Sequence, residues 1–237
     1  MSTLSELFLG DDPIPVGLRV GELIHAVRVD GTDVGSALDN LYHIVQRAGA
    51  SLDNVAQVSF FLRDAAQLKT INSAWVRMFP DAEDRPTYKF MTAANLPAEK
   101  PVHLEFFAVE KQRRKLLRLP NVAHTNPIPM GVRIGDYVFS SRVLPYDPET
   151  GQPPDAVERQ ADCLFQNVRT LLDVGGAKPE HITQGRIFLL DPSTLRVVER
   201  AWKSILGSGP PPGLHVTQYS LAPSLKVMLE FIAMNRT

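Results

Sequence analysis

The sequence predicts an α+β protein built from two tandem copies of one small fold. The first observation is a repeat: the segment Asp12–Glu22 returns, with similar or identical residues throughout, as Asn126–Asp136. The second observation is that residues further along each copy recur in the same order, so that Trp75 has its counterpart in Trp202. The offset grows from 114 residues in the first block to 127 at the tryptophans, which predicts thirteen extra residues in one loop of the second copy.

The length and composition agree with two domains. A chain of 237 residues with 44% hydrophobic content fills two cores of ordinary size. We place the copies at residues 1–112 and 113–237, on either side of a basic joint, Lys111–Arg118. This joint contains no aromatic residue that could stack on a base, so a solvated linker or a strand end is favoured over a nucleic-acid contact.

The charge balance and the single cysteine exclude several classes. The 25 basic and 26 acidic residues give a net charge near zero, which makes nucleic acid an unlikely partner. Cys163 alone forms no intrachain disulfide and no cysteine-built zinc site. The six histidines lack the spacing of metal ligands, so no metal and no cofactor is expected. Without an apolar stretch of about 20 residues, we expect a soluble, cytoplasmic protein with no membrane partner.

In each copy the sequence pattern predicts two strands, a helix, a strand, a second helix and two further strands. In the first copy, apolar residues fall on one helical face up to Ala48, and Gly49 follows where a left-handed residue ends a helix. The following alternation of apolar residues predicts a strand at 58–62 and its counterpart at 185–189. A second amphipathic helix carries Trp75 in the first copy and Trp202 in the second.

Two further strands close each copy. The predicted ranges are 86–96 and 102–109 in the first copy, and 214–219 and 225–234 in the second. The proline-rich tract 209–213 predicts a rigid loop that leads into the last two strands. Cys163 lies beside the apolar stripe of a helix and is expected to be a small buried filler.

Short motifs lie in a characteristic order in both copies, at residues 135–141, 145–151 and 230–233 in the second and at residues 47–55 and 71–75 in the first. Their order and spacing resemble the RidA/YjgF family of reactive-intermediate deaminases. The resemblance covers nearly the whole chain twice. It implies two tandem chorismate-mutase-like domains, each with two helices packed on one face of a mixed β-sheet. It also implies ligand clefts between subunits and trimeric assembly. Six domains close such a ring, so a homotrimer of this two-copy chain is expected.

The positions that carry function in the family depart from its pattern. The family arginine that grips the carboxylate of a 2-imino acid falls at Tyr88, beside Lys89, in the first copy. In the second copy it falls at Leu214, which His215 follows. The family's acidic residue is placed at His103 in the first copy and near Met228 in the second. Neither copy therefore keeps the standard pair.

Polar residues at other positions offer replacements. Asn72 matches a family asparagine in the second helix, and Ser141 matches a family serine on a strand. Both copies carry an arginine where the family has glycine, at Arg28 and Arg142. These arginines either clamp an anionic ligand in place of the lost guanidinium or face solvent on the sheet. A lone histidine and a strand tyrosine are likewise either functional or structural.

These residues support one hypothesis and two alternatives. We expect an imine or enamine deaminase that acts on a small, anionic substrate larger than 2-iminopropanoate. His103 and Tyr88 are its candidate catalytic residues. The candidate ligand-binding residues are Arg28, Asn72, Lys89, Ser141, Arg142 and His215. The alternatives are a non-catalytic ligand-binding or scaffold protein and a different hydrolysis on the same fold.

Overall fold

The structure is a computed structural model that describes residues 4–11, 13–207, 213–219 and 224–235. The chain divides into two compact units, Met1–Leu116 with Asn126–Ile128, and Leu117–Thr125 with Pro129–Thr237. The proline-rich tract lies outside the described residues, except for Gly213. Within the described part, no helix is long and apolar enough to cross a membrane.

The first unit contains a six-stranded mixed sheet in the order β1-β2-β3-β6-β4-β5. Neighbouring strands are antiparallel except β4 and β5, which are parallel. The strands are β1 (Leu4–Leu7), β2 (Gly17–Val20), β3 (Leu23–Gly31), β4 (Val55–Leu62), β5 (Thr87–Thr92) and β6 (Val102–Val109). The helices are α1 (Val34–Arg47) and α2 (Leu68–Met78).

Both helices of the first unit contribute to a core on one face of its sheet. Inward residues at alternate positions of the strands, such as Val58, Phe60 and Leu104, meet Leu41 of α1 and Trp75 of α2. Helix α1 begins at a capping box between Asp33 and Ser36. It ends before Gly49, whose φ of 76° confirms the predicted left-handed position.

The second unit repeats this plan in the order β11-β10-β12-β9-β8-β7. Its strands are β7 (Lys115–Leu117), β8 (Gly131–Ile134), β9 (Tyr137–Ser140), β10 (Ile182–Leu189), β11 (Gly213–Gln218) and β12 (Val227–Met234). Its helices are α3 (Val157–Val174) and α4 (Leu195–Leu206). The predicted fold class is therefore confirmed twice, with one edge strand more per sheet than predicted. The longer loop lies between β9 and α3.

Two predictions about single residues have different outcomes. Cys163 is only 2% exposed on α3, so the buried filler is confirmed. The basic joint is a strand end, because it contains β7, but it is not wholly solvated. Arg114 is 6% exposed, forms an ion pair with Asp84 and donates to the carbonyl oxygens of Leu52 and Val55. The charge of Arg114 can be buried because the carboxylate and the carbonyl oxygens around it accept its hydrogen bonds.

Candidate functional site

A β-bulge decides where Arg28 lies. Strand β3 pairs with β6 at Ala26 and Phe106 and again at Val29 and Leu104, so β3 contains one extra residue between these pairs. The amide groups of Val27 and Arg28 both donate to the carbonyl oxygen of Val16. A bulge changes the direction of the side chains it carries. Arg28 thereby reaches a cavity instead of continuing the regular alternation of β3.

The cavity has a volume of about 300 Å³ and lies at the end of β3 in the first unit. Leu9 and Val16 supply apolar lining, whereas Arg28, Asp30 and Lys100 supply charge. The remaining lining residues are Gly31, Thr32, Ser36, Asn40 and Glu99. The volume lies at the lower end of the range of about 300–1,000 Å³ that is typical of ligand sites. A small ligand with an anionic group and an apolar part matches this lining.

Two of the lining residues, Asp30 and Lys100, form a cluster of ionisable side chains with His103, which is not itself a lining residue. Asp30 Oδ1 is 2.8 Å from His103 Nδ1, and Asp30 Oδ2 is 3.3 Å from Lys100 Nζ. Burial alone would raise the pKa of Asp30, but the hydrogen bonds from His103 and Lys100 outweigh it and lower that pKa. His103 lies opposite Asp30 on β6 and packs against the ring of Phe61. Asp30 is a site residue that was not predicted.

The sheet separates Tyr88 from His103. Tyr88 is 3% exposed and joins the core under the helices, edge-on to Trp75. His103 alternates with the core residues Val102 and Leu104, so its side chain lies on the other face. Within the first unit, the two candidate catalytic residues therefore lie on opposite faces of the sheet.

The hydroxyl group of Tyr88 is held inside the first unit. It donates to Oδ1 of Asn72, and Nδ2 of Asn72 donates to Oδ1 of Asn126 at 3.1 Å. Burial also raises the pKa of the Tyr88 phenol, so the phenol stays protonated at neutral pH. Asn72 and Tyr88 therefore satisfy each other rather than forming part of the cavity lining.

Lys89 lies with His103 on the face of the sheet opposite the helices, but its charge acts on His25. Its register partner on β4 is Ser59, which in turn lies opposite Glu105 on β6. Burial, and then the charge of Lys89, lowers the pKa of His25. Lys89 is not among the residues that line the cavity of Arg28.

In the second unit the corresponding arginine is bound to a carboxylate. Arg142 Nε and Nη2 donate to Glu230 Oε1 at 3.0 and 2.9 Å, and the Glu230 side chain is 2% exposed. The guanidinium group also lies 4.1 Å from the ring centre of Phe188. The bulge itself recurs, because β9 and β12 pair at Phe139 and Ile232 and next at Val143 and Leu229.

Ser141 belongs to an internal hydrogen-bond network. Its hydroxyl group donates to the carbonyl oxygen of Met130 at 2.8 Å, so His124 Nε2, at 2.6 Å, donates to Ser141 Oγ. Burial, and then the charge of Arg142, lowers the pKa of His124 to about 4. Ser141 is 0% exposed. Within the described part of this unit, the contacts of Ser141 are therefore internal, and its role as a ligand-binding residue stays a prediction.

His215 stands apart from this network. It is exposed on β11, with Arg186 of β10 as its register partner. The candidate residues therefore do not form one site: Arg28 and His103 meet around Asp30, whereas Asn72 with Tyr88, Lys89, Ser141 with Arg142, and His215 lie in four other places.

Comparison with known proteins identifies the family. The sequence profile described as endoribonuclease L-PSP matches residues 14–110 and 121–235, one match in each half of the chain. The chain belongs to the endoribonuclease L-PSP family. Since each sheet with its two helices carries one match, the tandem organisation of this family member is shown as well.

Individual relatives within the L-PSP family match about half of the chain. A 2-iminobutanoate/2-iminopropanoate deaminase of Salmonella typhimurium is 26% identical over 117 residues, which are 48% of this chain and 91% of that protein. A RutC family protein of Pyrococcus abyssi is 21% identical over 108 residues, or 45% of this chain and 85% of that protein. The structure of the Escherichia coli YjgF gene product covers 52% of this chain and 99% of its own, at 24% identity and a TM-score of 0.47.

Proposed function

We propose that this chain hydrolyses a reactive imine or enamine that carries a carboxylate and a side chain larger than that of 2-iminopropanoate. The observation that carries the proposal is the single cavity that Arg28 and Lys100 line together with Asp30, the partner of His103. The similarity to an imine deaminase of Salmonella typhimurium supports the reaction type.

Arg28 is the proposed anchor for the carboxylate. A guanidinium group binds a carboxylate through two parallel hydrogen bonds and stays charged at any physiological pH. The apolar part of the substrate would lie against Leu9 and Val16. Tyr88, a candidate catalytic residue from the sequence, is instead assigned to packing beneath α2.

His103 is the proposed proton carrier. Water adds to the carbon of the C=N bond, and the imidazole takes one proton from that water. It returns that proton to nitrogen, which gives a carbinolamine. The imidazole then carries the hydroxyl proton of this intermediate to nitrogen in the same way, and the C–N bond breaks as the C=O bond forms. Imine and water thus become a 2-oxo acid and ammonia, and no oxidant or reductant is consumed.

The second copy is proposed to be non-catalytic. Its arginine is bound to Glu230, its serine is buried, and the position of His103 is taken by Met228. A scaffold role for the whole chain is the alternative function, and the ion pair of Arg142 is the observation that favours it. For the intact protein we further propose a homotrimer in the cytoplasm, where a lone thiol such as Cys163 stays reduced.

The test follows imines made in place by an amino-acid oxidase. Imines from phenylalanine and from alanine are generated in parallel, and the imine that remains is trapped with semicarbazide. We expect the chain to accelerate hydrolysis of the phenylalanine-derived imine. Its effect on 2-iminopropanoate should be about ten- to a hundredfold weaker, because a methyl group lacks the apolar surface that a ring buries against Leu9 and Val16, a burial that contributes about 1.5–3 kcal/mol.

Two matched variants separate the copies in this assay. His103→Leu should lower kcat/KM by about a hundredfold or more, because it removes the proton carrier. Met228→Leu, at the corresponding position, conserves volume and should change kcat/KM by less than about threefold. Equal losses in the two variants, or no acceleration of either imine by the wild-type chain, would reject the proposal.

A further inference from the structure

The Asp30 carboxylate lies between two cationic or proton-carrying groups. One oxygen contacts His103 Nδ1 at 2.8 Å and the other contacts Lys100 Nζ at 3.3 Å. The Asp30 and His103 side chains are only 24% and 19% exposed, whereas Lys100 is 50% exposed. The contact with His103 is thus shorter and better shielded from water than the contact with Lys100.

This geometry fixes the position of the imidazole proton. The two hydrogen bonds keep Asp30 ionised, so its oxygens accept and do not donate. In a neutral imidazole only one ring nitrogen carries hydrogen, and here the donor to Asp30 has to be Nδ1. Nε2 is then left with a lone pair that can accept a proton.

The surroundings hold both partners of this pair in place. Asn40 Nδ2 donates to the backbone oxygen of Asp30 at 2.8 Å, which ties α1 to the end of β3. Asp30 and His103 are register partners on adjacent strands. The ring of Phe61 lies 5.6 Å from the ring of His103, between centroids. A side chain that is fixed on three sides keeps one hydrogen-bonding orientation.

The second copy replaces both partners together. The pair Val29 and Leu104 corresponds to Val143 and Leu229, so the next positions, Asp30 and His103, correspond to Leu144 and Met228. Leu144 is 8% and Met228 is 4% exposed. One copy thus has a polar pair and the other an apolar pair at the same place. Neither copy leaves one polar member buried alone, which would be costly.

We infer that Asp30 is a positioning residue: it holds His103 as the Nδ1–H tautomer and thereby presents Nε2 as the basic nitrogen to the substrate. The catalytic consequence rests on the proposed function, whereas the tautomer itself does not. Asp30 acts through His103, as a carboxylate does when it orients a histidine from behind.

The test reads the tautomer by long-range hydrogen–nitrogen correlation spectra of the ¹⁵N-labelled full chain. At roughly pH 9, well above the ordinary histidine pKa of about 6.5, neutral rings report which nitrogen carries hydrogen. The spectrum of His103→Gln assigns the His103 signals among the six histidines. We expect Nδ1–H in the wild-type chain and in Glu99→Gln, the matched control, since Glu99 also lines the cavity. In Asp30→Leu, which places the leucine of the second copy at this position and removes the acceptor, the proton should shift towards Nε2, the nitrogen that carries it in most neutral histidines.

Two outcomes would overturn this inference. One is an Nε2–H signal for His103 in the wild-type chain. The other is an unchanged Nδ1–H signal in Asp30→Leu. The kinetic readout is separate: Asp30→Leu should lower kcat for the imine by about ten- to a hundredfold with little change in KM, and add no loss to His103→Gln. If the wild-type chain lacks imine hydrolysis, the proposed function fails while the spectra still decide the role of Asp30.

Discussion

The ion pair between Arg142 and Glu230 predicts that replacing Glu230 destabilises the protein more than replacing Glu105, the equivalent glutamate of the first copy. Glu230→Gln removes a carboxylate that accepts two hydrogen bonds from Arg142 and is 2% exposed. Charge-assisted hydrogen bonds contribute about 1.5–3 kcal/mol, and the remaining cation, 18% exposed, keeps its contact with Phe188. We therefore expect the free energy of unfolding of the second unit to fall by about 2–4 kcal/mol.

Glu105 provides the matched control in the first copy. It lies opposite the equivalent bulge on β6 and is only half-buried, whereas Glu230 is 2% exposed. Glu105→Gln should therefore change stability by less than about 1 kcal/mol.

The assay uses urea unfolding followed by tryptophan fluorescence. Trp75 and Trp202 are the two tryptophans of the chain and lie in different units, so Trp75→Phe leaves Trp202 as a reporter of the second unit. Trp202→Phe gives the complementary reporter for Glu105→Gln. Similar losses for the two glutamate variants, or a loss below about 1 kcal/mol for Glu230→Gln, would refute this reasoning.

Three further predictions concern pH, packing and assembly. The unfolded chain protonates His124 near pH 6.5 but the folded chain only near its pKa of about 4, so stability should fall as pH drops through this window, by at most about 3 kcal/mol. His124→Gln should make the free energy of unfolding less dependent on pH within this window. An unchanged slope would show that His124 is not the cause of the pH dependence. Tyr88→Phe removes the hydrogen bond to Oδ1 of Asn72, a residue exposed to water, and should lower the free energy of unfolding in urea by about 0.5–1.5 kcal/mol; a neutral result would mean that water replaces the hydroxyl group. Light scattering should give three chains per particle, and one or two would reject the trimer.

The sequence predicts long amphipathic elements well and short edge strands poorly. Helix α1 is predicted because its buried residues recur with the period of a helix, and strand β4 because the core residues Val58, Phe60 and Leu62 occupy alternate positions. Strand β1 has one buried residue in four and β7 has one in three, so neither shows a readable pattern. Tertiary pairing with β2 and β8, rather than local sequence, makes them strands.

The candidate site is predicted in part. The recurrence of Arg28 as Arg142 is visible in the sequence, but the bulge that directs both is not, since a bulge depends on the residue count of two paired strands. Counting from a family motif gives the position of Tyr88 along its strand. It does not show on which face of the sheet the side chain lies. Asp30 had a usable signal: comparison of the copies pairs Asp30 and His103 with Leu144 and Met228, a joint change from polar to apolar.

The most direct test of a functional cavity in the first copy is hydrogen exchange with a product-like ligand. Phenylpyruvate has the carboxylate and ring of the proposed product class, and exchange is followed by mass spectrometry with and without saturating ligand. We expect slower exchange in residues 23–40 and 98–107, which contain Arg28, Asp30, Lys100 and His103, and no change in residues 139–144 and 227–234 of the second copy. Protection confined to the second copy, or no protection in either, would contradict the account.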